Sequence, residues 1–358
     1  MKGLLLAGGH GTRLRPLTFT GNKHMIPIAN QPMLFYGLNH LREAGIREVG
    51  IILGPITEGI REAVGDGSRF GVHVQYIVQG DPKGLAHAVL CAREFLGDEP
   101  FLMYLGDNLL EQGPQPYLDA FRDGAASAVV GATPVRNPSD YGVVELDGAG
   151  RIASIEEKPK APRSNLALVG VYLFSPQVHE VIAGLKPSKR GELEITDAIR
   201  ALNDRTHSVK VVRLAGWWKD TGQVADILEA NERVLATRPP SFFAVEGEVQ
   251  PGATIIGHVA VGAGSTVGAG CTVRGPTVLG KGVRIENGAS VGPSVALGDN
   301  SVIRRARVER TIAMENVVVD LPTHVIDSII GRGTKILERP PPPKGQSFVL
   351  GDSSQVTL

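Results

Sequence analysis

The sequence has few cysteines and no net charge. Its two cysteines, Cys91 and Cys271, are far apart in the chain, so they form neither a metal-ligand spacing nor a disulfide framework. We therefore expect both to be reduced and structural. Lys plus Arg and Asp plus Glu number 37 each, so the chain lacks the overall positive field that draws proteins onto nucleic acids or anionic membranes.

Long apolar runs are missing as well. No run approaches the roughly 20 residues that a membrane-spanning helix needs. The N-terminal run, MKGLLLAGG, turns into glycines after three leucines, which is too short for the apolar region of a signal peptide. We expect a soluble, cytoplasmic protein that binds neither nucleic acid nor membrane.

Glycine, in contrast, is abundant. It accounts for 45 of the 358 residues, whereas average proteins contain about 7%. Such an excess indicates either a disordered segment or many backbone positions that only glycine can occupy. The length predicts two domains at roughly 150 residues each, and an apolar content of 42% gives each of them a core.

Residues 1–240 alternate short apolar runs with amphipathic stretches. The runs cover 3–7, 49–53, 72–78, 101–105 and 126–132, and the stretches between them cover 33–44, 58–64, 85–95 and 116–121. Apolar strands separated by helices are typical of a mostly parallel sheet covered on both faces. Because ligands of such sheets bind at the carboxyl ends of the strands, we expect the functional residues there.

From residue 249 an aliphatic side chain recurs every six positions, with small residues in fixed phase. The members are Val249, Ile255, Val261, Val267, Val273, Leu279, Ile285, Val291, Leu297 and Ile303. This period predicts a parallel β-helix with Gly or Asn at its corners, and it argues against disorder. The phase slips after Ile303 and partly recovers at Ile326, Ile330 and Ile336, which predicts a loop-bearing or irregular coil. We assign 241–340 to this domain and 341–358 to an extended tail that starts within the PPPP run.

The segment LAGGHGTRL directly follows the first apolar run. Its glycines Gly8, Gly9 and Gly11 would let backbone N–H groups approach an anion, and Arg13 adds fixed positive charge. Phosphate binding is the natural interpretation, although Gly-rich strand ends are also ordinary turns. The segment does not match the dinucleotide-binding pattern, because Leu14 stands where that pattern needs glycine, and it is not a P-loop.

The N-terminal domain carries a series of motifs that occur in order along the chain. They are LAGGHGTRLRPLT (6–18), NKHMIPI (22–28), QPMLFYGL (31–38), QGDPKGLAHAV (79–89), LGDN (105–108), YGVVE (141–145), EEKP (156–159), GVYLF (170–174), KPSKRGELEITDAI (186–199) and WWKDTG (217–222). Together they resemble the glucose-1-phosphate thymidylyltransferases among the sugar-1-phosphate nucleotidyltransferases, in their long form with appended hexapeptide repeats.

The resemblance implies a fold and a reaction. The fold is α/β, with a Rossmann-like, mostly parallel nucleotidyltransferase sheet followed by a left-handed parallel β-helix. The reaction joins dTTP and α-D-glucose 1-phosphate to give dTDP-glucose and pyrophosphate, with Mg²⁺ as cofactor, as the first step of dTDP-deoxysugar biosynthesis. Such a displacement at the α-phosphorus needs no protein nucleophile, so positioning and charge neutralisation should carry catalysis.

The resemblance also assigns the charged residues. It places Arg13 over the triphosphate, Lys23 beside the reacting phosphates and Lys158 on the sugar phosphate. Asp107 and Asp220 are the expected Mg²⁺ ligands, and carboxylates suit this hard cation. Asp107 follows an apolar strand and therefore lies at the edge of the sheet where ligands bind, although an aspartate in this position is also a common helix cap.

The remaining motifs are expected to contact the base and the sugar. The resemblance places Gln79 on thymine, where its amide could both accept from N3–H and donate to O4, with Gly8, Gly84 and Leu85 completing the slot. The sugar contacts it implies are Gly142, Glu157 and the strand from Val169 to Tyr172. Asn108 either caps the chain or touches the sugar. A loop glutamine, and a surface ion pair between Glu157 and Lys158, are the alternatives.

Other functions remain possible from the sequence. UTP or another hexose 1-phosphate could be the substrate. A catalytically silent nucleotide-sugar sensor is less compatible with the sequence, because the cations and carboxylates named above are all present. Some hexapeptide β-helices are acyltransferases with a histidine base, but His258 and His324 lack companion residues of that kind. We therefore expect an oligomerisation or regulatory module, and a homo-oligomer.

Overall fold

The structure is a computed structural model that describes residues 1–57, 59–338, 348 and 350–357. The PPPP run and much of the predicted 341–358 tail lie outside the described residues. The first part of the chain is an α/β layer structure, and the second is a stack of short parallel strands. No helix in the described part of the chain has both the length and the apolar character needed to span a bilayer.

The α/β part contains thirteen strands and eight α-helices in the described residues. The strands are β1 (Lys2–Ala7), β2 (Pro27–Ile28), β3 (Gln31–Pro32), β4 (Glu48–Leu53), β5 (His73–Val78), β6 (Phe101–Leu105), β7 (Asn108–Leu110), β8 (Ala128–Pro134), β9 (Gly142–Leu146), β10 (Ile152–Glu157), β11 (Leu166–Phe174), β12 (Val209–Arg213) and β13 (Trp218–Asp220). The helices are α1 (Met33–Glu43), α2 (Ile60–Val64), α3 (Leu85–Cys91), α4 (Arg93–Leu96), α5 (Gln115–Phe121), α6 (Val178–Ala183), α7 (Ile195–Thr206) and α8 (Val224–Thr237).

The central sheet is mostly parallel, as predicted. Strands β5, β4, β1 and β6 lie side by side and run parallel, and β8 and β12 are parallel to each other at the other end. Between them β11 runs antiparallel to both β6 and β8, and the β9–β10 hairpin joins the amino-terminal half of β11. All five predicted apolar runs form strands of this sheet.

Both faces of the sheet are covered. On one face the core includes Ala86 and Val89 of α3, Val178 of α6 and Ile199 of α7. On the other face α1 and α5 pack on the sheet. The run at 72–78 is different because β5 is an edge strand; Val74 is its only buried residue, and Val78 is 65% exposed. The site at the carboxyl edge is therefore built on a fully packed scaffold.

The second part forms three parallel sheets, each contributing one strand per coil. The first contains β14 (Glu248–Val249), β17 (Thr266–Val267), β20 (Arg284–Glu286), β23 (Val302–Arg304), β26 (Val318–Asp320) and β29 (Lys335–Leu337). The second contains β15 (Thr254–Ile256), β18 (Thr272–Arg274), β21 (Ser290–Val291), β24 (Arg307–Glu309) and β27 (His324–Ile326). The third contains β16 (Val259–Val261), β19 (Thr277–Leu279), β22 (Val295–Leu297), β25 (Ile312–Ala313) and β28 (Ile329–Ile330). This is the arrangement of a left-handed parallel β-helix.

The six-residue period becomes the inward column of this β-helix. Val249, Val267, Ile285 and Ile303 align one above the other on successive coils, and the last three are fully buried. One corner position shows why glycine is abundant. Gly264, Gly282, Asn300, Asn316 and Gly333 all have a positive φ, between 59° and 72°, a conformation that glycine and asparagine tolerate best.

The irregularity after Ile303 is a shortened coil and not a loop-bearing one. Ile303 pairs with Val319, so the coil between them is shorter than the preceding ones, and the strands continue through it in register. The expected inward position at Ile326 is wrong, because that side chain is 43% exposed and Val325 pairs with the inward residue Val308.

The two parts of the chain pack on each other through α8. Its buried residues Ile227, Ala230 and Val234 form one core cluster with Ala296 and Ile312 of the third β-helix sheet. Two side-chain amides bridge the parts across this cluster. Asn231 accepts a hydrogen bond from Ala29 N at 2.8 Å and donates to Ser294 O at 3.2 Å, and Asn30 donates to Leu297 O at 2.7 Å.

Candidate active site

The glycine loop after β1 is closely packed. A β-carbon built on Gly9 would lie 3.0 Å from Cε of Lys23. Gly11 has a φ of 62°, and its carbonyl accepts a hydrogen bond from the Thr18 hydroxyl at 2.8 Å. Larger residues at these positions would displace their neighbours, so the sequence needs glycine here for close approach as well as for backbone conformation.

Lys23 lies on a one-turn 3-10 helix, Lys23–Met25, that Asn22 holds in place. The side-chain oxygen of Asn22, Oδ1, accepts a hydrogen bond from His24 N at 2.9 Å, and its side-chain nitrogen donates to Ala7 O at the end of β1. The Lys23 ammonium forms an ion pair and hydrogen bond with the Asp107 carboxylate. Burial alone would lower the pKa of Lys23, but the Asp107 charge reverses this and raises it.

Asp107 and Asp220 come from different strands and face each other. Asp107 precedes β7, and β13 pairs antiparallel with β7 so that Asp220 lies opposite Asn108. Burial pushes the pKa of Asp107 upward, but Lys23 holds it below the usual range. Burial and, next, the negative charge of Asp107 raise the pKa of Asp220 to about 7. The two carboxylates therefore share one buried site with a single close ammonium partner, Lys23, among the described residues.

Asn108 is buried, and its side-chain amide forms hydrogen bonds within the protein. It is 2% exposed; its amide nitrogen donates to Asp107 Oδ1 at 3.0 Å. Its oxygen accepts from Gly170 N at 3.1 Å and from Trp218 Nε1 at 2.7 Å. This side chain therefore orients the Asp107 carboxylate from behind.

Gln79 follows the exposed end of β5 but is itself buried. Its amide nitrogen donates to Gly84 O at 3.1 Å and lies 3.2 Å from Nδ1 of His87. Its oxygen faces the glycine loop, because a β-carbon on Gly8 would lie 2.9 Å from Gln79 Oε1. Because the amide nitrogen is directed at Gly84 O and at the His87 ring, Oε1 is the atom left for a ligand. That this amide both accepts from N3–H and donates to O4 of a base stays a prediction.

A cavity of about 330 Å³ brings the predicted nucleotide residues together. Gly8, Gly9, Gln79, Gly84 and Leu85 line it, together with Lys23 and Asp107. Gly11 packs on Thr18 and shapes the loop. We call this cavity the nucleotide lobe.

A neighbouring cavity of about 160 Å³, which we call the cation lobe, is lined by the cations Arg13 and Lys158 and by the carboxylates Asp140, Asp220 and Asp226. A β-carbon on Gly222 would lie 3.3 Å from Asp220 Oδ1 and 4.0 Å from Arg13 Nη1, so Arg13 is close to the carboxylate. The nucleotide lobe contains Asp107 and the cation lobe contains Asp220. Because these two carboxylates interact, the lobes form one site.

The predicted sugar residues lie where β9, β10 and β11 adjoin α7. Glu157 ends β10 and pairs with Gly142 of β9; its carboxylate accepts from the Thr196 hydroxyl at 3.2 Å and from Arg190 at 3.4 Å. Burial, and then the charge of Glu194, raise the pKa of Glu157. This carboxylate is therefore held in one orientation by two residues of the 186–199 motif.

Val169 and Tyr172 are both on β11 but differ in which of their groups could contact a ligand. The Val169 side chain is fully buried in the core, so only its backbone can contact a ligand. Burial raises the pKa of Tyr172, and the charges of Glu157, Asp220 and Asp107 raise it further. The Tyr172 hydroxyl thus lies within the field of the site's carboxylates.

Two protein-family models match this chain, one for each of its two parts. The nucleotidyl transferase family model matches residues 2–237, and the model for the GlmU-like C-terminal hexapeptide matches residues 251–328. The glucose-1-phosphate thymidylyltransferase of Streptomyces griseus is 45% identical over all of this chain and 99% of its own length. The chain belongs to the glucose-1-phosphate thymidylyltransferase family. As a family member it is an enzyme, a nucleotidyltransferase, which confirms the resemblance and the fold class predicted from sequence.

A further relative and two solved structures are also similar to this chain. The low-salt glycan biosynthesis nucleotidyltransferase Agl11 of Haloferax volcanii is 42% identical over the full length of both chains. A solved Bacillus anthracis structure, described as a glucose-1-phosphate thymidylyltransferase in complex with sucrose, is 37% identical with a TM-score of 0.61, covering 64% of this chain and 94% of that one. UDP-glucose pyrophosphorylase with UDP-glucose is 28% identical with a TM-score of 0.59, covering 66% and 99%.

Against this family background, the structure adds residues that the sequence did not single out. They are Asn22, which holds the Lys23 turn; His87, which contacts Gln79; and Arg190, which bridges Glu157 and Glu194. All three lie inside motifs quoted above, but the motifs do not show which side chains they contact. His87 is on α3 whereas Gln79 follows β5, and Arg190 contacts Glu157 of β10. Only the three-dimensional structure brings each pair together.

Proposed function

We propose that this family member transfers a thymidylyl group from dTTP to α-D-glucose 1-phosphate, releasing pyrophosphate and forming dTDP-glucose for deoxysugar biosynthesis. The observation that carries the proposal is the arrangement around Asp107. The Lys23–Asp107 pair and the facing Asp220 lie between a lobe that ends at a buried glutamine and a lobe lined by Arg13 and Lys158. The names of the full-length Streptomyces relatives support the same reaction.

The reaction brings two anions together, and the cations of the site suit that task. Arg13 and Lys158 line the cation lobe, and Lys23 reaches the junction of the lobes. Fixed charges that need not reorganise during the reaction stabilise the negative charge of a phosphoryl transition state. The sugar phosphate oxygen attacks the α-phosphorus directly, a new P–O bond forms, and the bond to pyrophosphate breaks.

Asp107 and Asp220 are the residues that would hold Mg²⁺. In the described residues no group of three or more His, Cys, Asp or Glu side chains is arranged to bind a metal. Two carboxylates are sufficient for Mg²⁺, which completes its shell with phosphate oxygens and water. Burial and, next, the negative charge of Asp107 raise the pKa of Asp220, and a cation bound between the two carboxylates would relieve their repulsion. When bound, the cation would neutralise the charge on the phosphates.

Base selection depends on the free oxygen of Gln79. Thymine and uracil both carry an N3–H that this oxygen can accept, with Leu85 and Gly84 forming the walls of the slot. The methyl group that separates them changes affinity by only about 1 to 3 kcal/mol. UTP is therefore the alternative nucleotide that the same geometry supports.

Sugar hydroxyls would meet Glu157, the backbone of Gly142 and Val169, and the Tyr172 hydroxyl. Glu157 is fixed by Thr196 and Arg190, so it can present a lone pair to a hydroxyl without an entropic cost at binding. Asn108 acts behind Asp107 as a positioning residue.

The test is a panel of nucleoside triphosphates against sugar 1-phosphates, with pyrophosphate release as the readout. We expect dTTP with glucose 1-phosphate to give the highest kcat/KM, UTP to follow, and ATP and GTP to be poor. A preference for a purine nucleotide, or turnover with no sugar phosphate present, would refute the proposal.

For the β-helix we propose an oligomerisation role. Its first and second sheets carry partly exposed apolar residues, Ile256, Ile326 and Leu337, while the third is covered by α8. Light scattering on the full chain should give a mass at least twice that of one chain, 37.9 kDa. A monomer at micromolar concentration would contradict this role.

A further inference from the structure

His87 does not line the nucleotide lobe itself but lies behind it, against Gln79, which does. It lies on α3, three residues after Gly84, and its Nδ1 is 3.2 Å from the amide nitrogen of Gln79. On the other side of the ring, Nε2 is 3.7 Å from Cys91 Sγ, one turn further along the helix. The imidazole thus connects the helix to the glutamine that faces the base.

The direction of the Gln79 amide follows from its fixed partner. A backbone carbonyl only accepts, so the group 3.1 Å from Gly84 O must be the NH₂ end of the amide. Gly84 itself is held in place, because Leu193 N donates to Lys83 O at 2.8 Å and Leu193 O accepts from Ala86 N at 3.1 Å on either side of it. The opposite amide orientation would place two carbonyl oxygens against each other.

The imidazole completes this arrangement as an acceptor. With its hydrogen on Nε2, directed at the Cys91 sulfur, Nδ1 carries a lone pair for the second N–H of Gln79. The titratable groups nearest the ring are Cys91 and Lys83. Burial, and then the Lys83 charge, lower the pKa of His87, which is compatible with a neutral ring that accepts.

We propose that His87 determines the preference for thymine and uracil over cytosine by accepting the second N–H of Gln79, which keeps Oε1 toward the base and favours bases with an N3–H. This inference rests on the proposed function. Thymine and uracil donate from N3, whereas cytosine presents a lone pair there that Oε1 repels. Cytosine would fit only if the amide turned over, and Gly84 and His87 together prevent that.

Substitutions at His87 separate this role from packing. His87→Gln keeps a side-chain carbonyl that can accept, His87→Leu has no polar partner, and His87→Lys offers only donors. His73, exposed at the start of β5, provides the matched control His73→Leu. For each variant the KM for dTTP and the inhibition constant of dCTP against dTTP are measured at saturating glucose 1-phosphate and Mg²⁺.

We expect the preference for dTTP over dCTP to fall about tenfold in His87→Leu, the effect of one ordinary hydrogen bond, and further in His87→Lys. His87→Gln and His73→Leu should stay within about threefold of the wild type. An unchanged preference in both His87→Leu and His87→Lys, or equal losses in all three His87 variants, would overturn the inference. If the wild type uses no pyrimidine nucleotide at all, the proposed function fails instead.

Discussion

The substitution Asn231→Ala tests the joint between the two parts of the chain. Asn231 is 1% exposed, and it links the turn after β2 to the third β-helix sheet through Ala29 N and Ser294 O. The substitution leaves these two buried backbone groups without partners. Each costs about 1 to 3 kcal/mol, so the joint should lose about 2 to 6 kcal/mol.

Calorimetry and amide hydrogen exchange report this loss directly. One kcal/mol lowers Tm by about 2 to 4 °C in domains of 150 to 250 residues, so the variant should melt at least about 4 °C lower. The Ala29 amide should also lose protection, because its acceptor is gone. The control is Asn203→Ala on α7, where Asn203 is half-buried and alanine is the better helix former.

Asn203→Ala should melt at or slightly above the wild-type temperature. If Asn231→Ala also melts at the wild-type temperature with an unchanged exchange rate at Ala29, the reasoning about this joint is refuted. A loss of protection confined to the β-helix would likewise contradict it, because the hydrogen bond to Ala29 lies on the catalytic side.

Four further substitutions address the site itself. Lys23→Met should lower kcat at least about 100-fold while the KM for dTTP stays within a few-fold, because a fixed charge acts on the transition state; steady-state kinetics measures both. Asp107→Asn and Asp220→Asn should each raise the Mg²⁺ concentration for half-maximal activity at least about tenfold, measured by metal titration. Gly84→Ala should raise the KM for dTTP at least about tenfold, because the new methyl collides with the Leu193 backbone and displaces the carbonyl that orients Gln79.

Each of these has a matched control and a contradicting outcome. Lys160→Met and Asp98→Asn change exposed residues and should be neutral. Gly80 also has a positive φ, 67°, but open space around its β-carbon; Gly80→Ala therefore carries the conformational strain without a collision and should affect KM less than Gly84→Ala. Wild-type kcat in Lys23→Met, wild-type metal dependence in either aspartate variant, or equal KM values for the two glycine variants would each count against the corresponding role.

The β-helix could be predicted almost entirely from sequence because its rules are local. Each coil repeats the same inward position, so Val267 and Ile285 are buried for the same reason, and the corners recur with them. The period failed where the coil shortened. Ile303 and Val319 are two residues closer in sequence than Ile285 and Ile303, so the phase changes and the inward residue is Val325 rather than Ile326. Periodicity carries no information about which residues a coil drops.

Contacts between distant segments could not be predicted in this way. Nothing in its composition shows that β11 runs antiparallel to β6, because a fully buried strand is apolar in either direction. The motifs located Gln79 and Asp107 correctly at the carboxyl edge of the sheet. The contacts of the Gln79 amide with Gly84 and His87 depend on side-chain directions that only the folded structure defines. The same holds for the hydrogen bond from Asn108 to Asp107.

The most direct test of the central claim is to incubate the full chain with dTTP, glucose 1-phosphate and Mg²⁺ and to identify the products by mass spectrometry. The proposed function predicts dTDP-glucose and pyrophosphate in equal amounts, neither of them without the sugar phosphate, and a sharp reduction of both in Lys23→Met. Pyrophosphate without dTDP-glucose, or equal product from wild type and Lys23→Met, would contradict it.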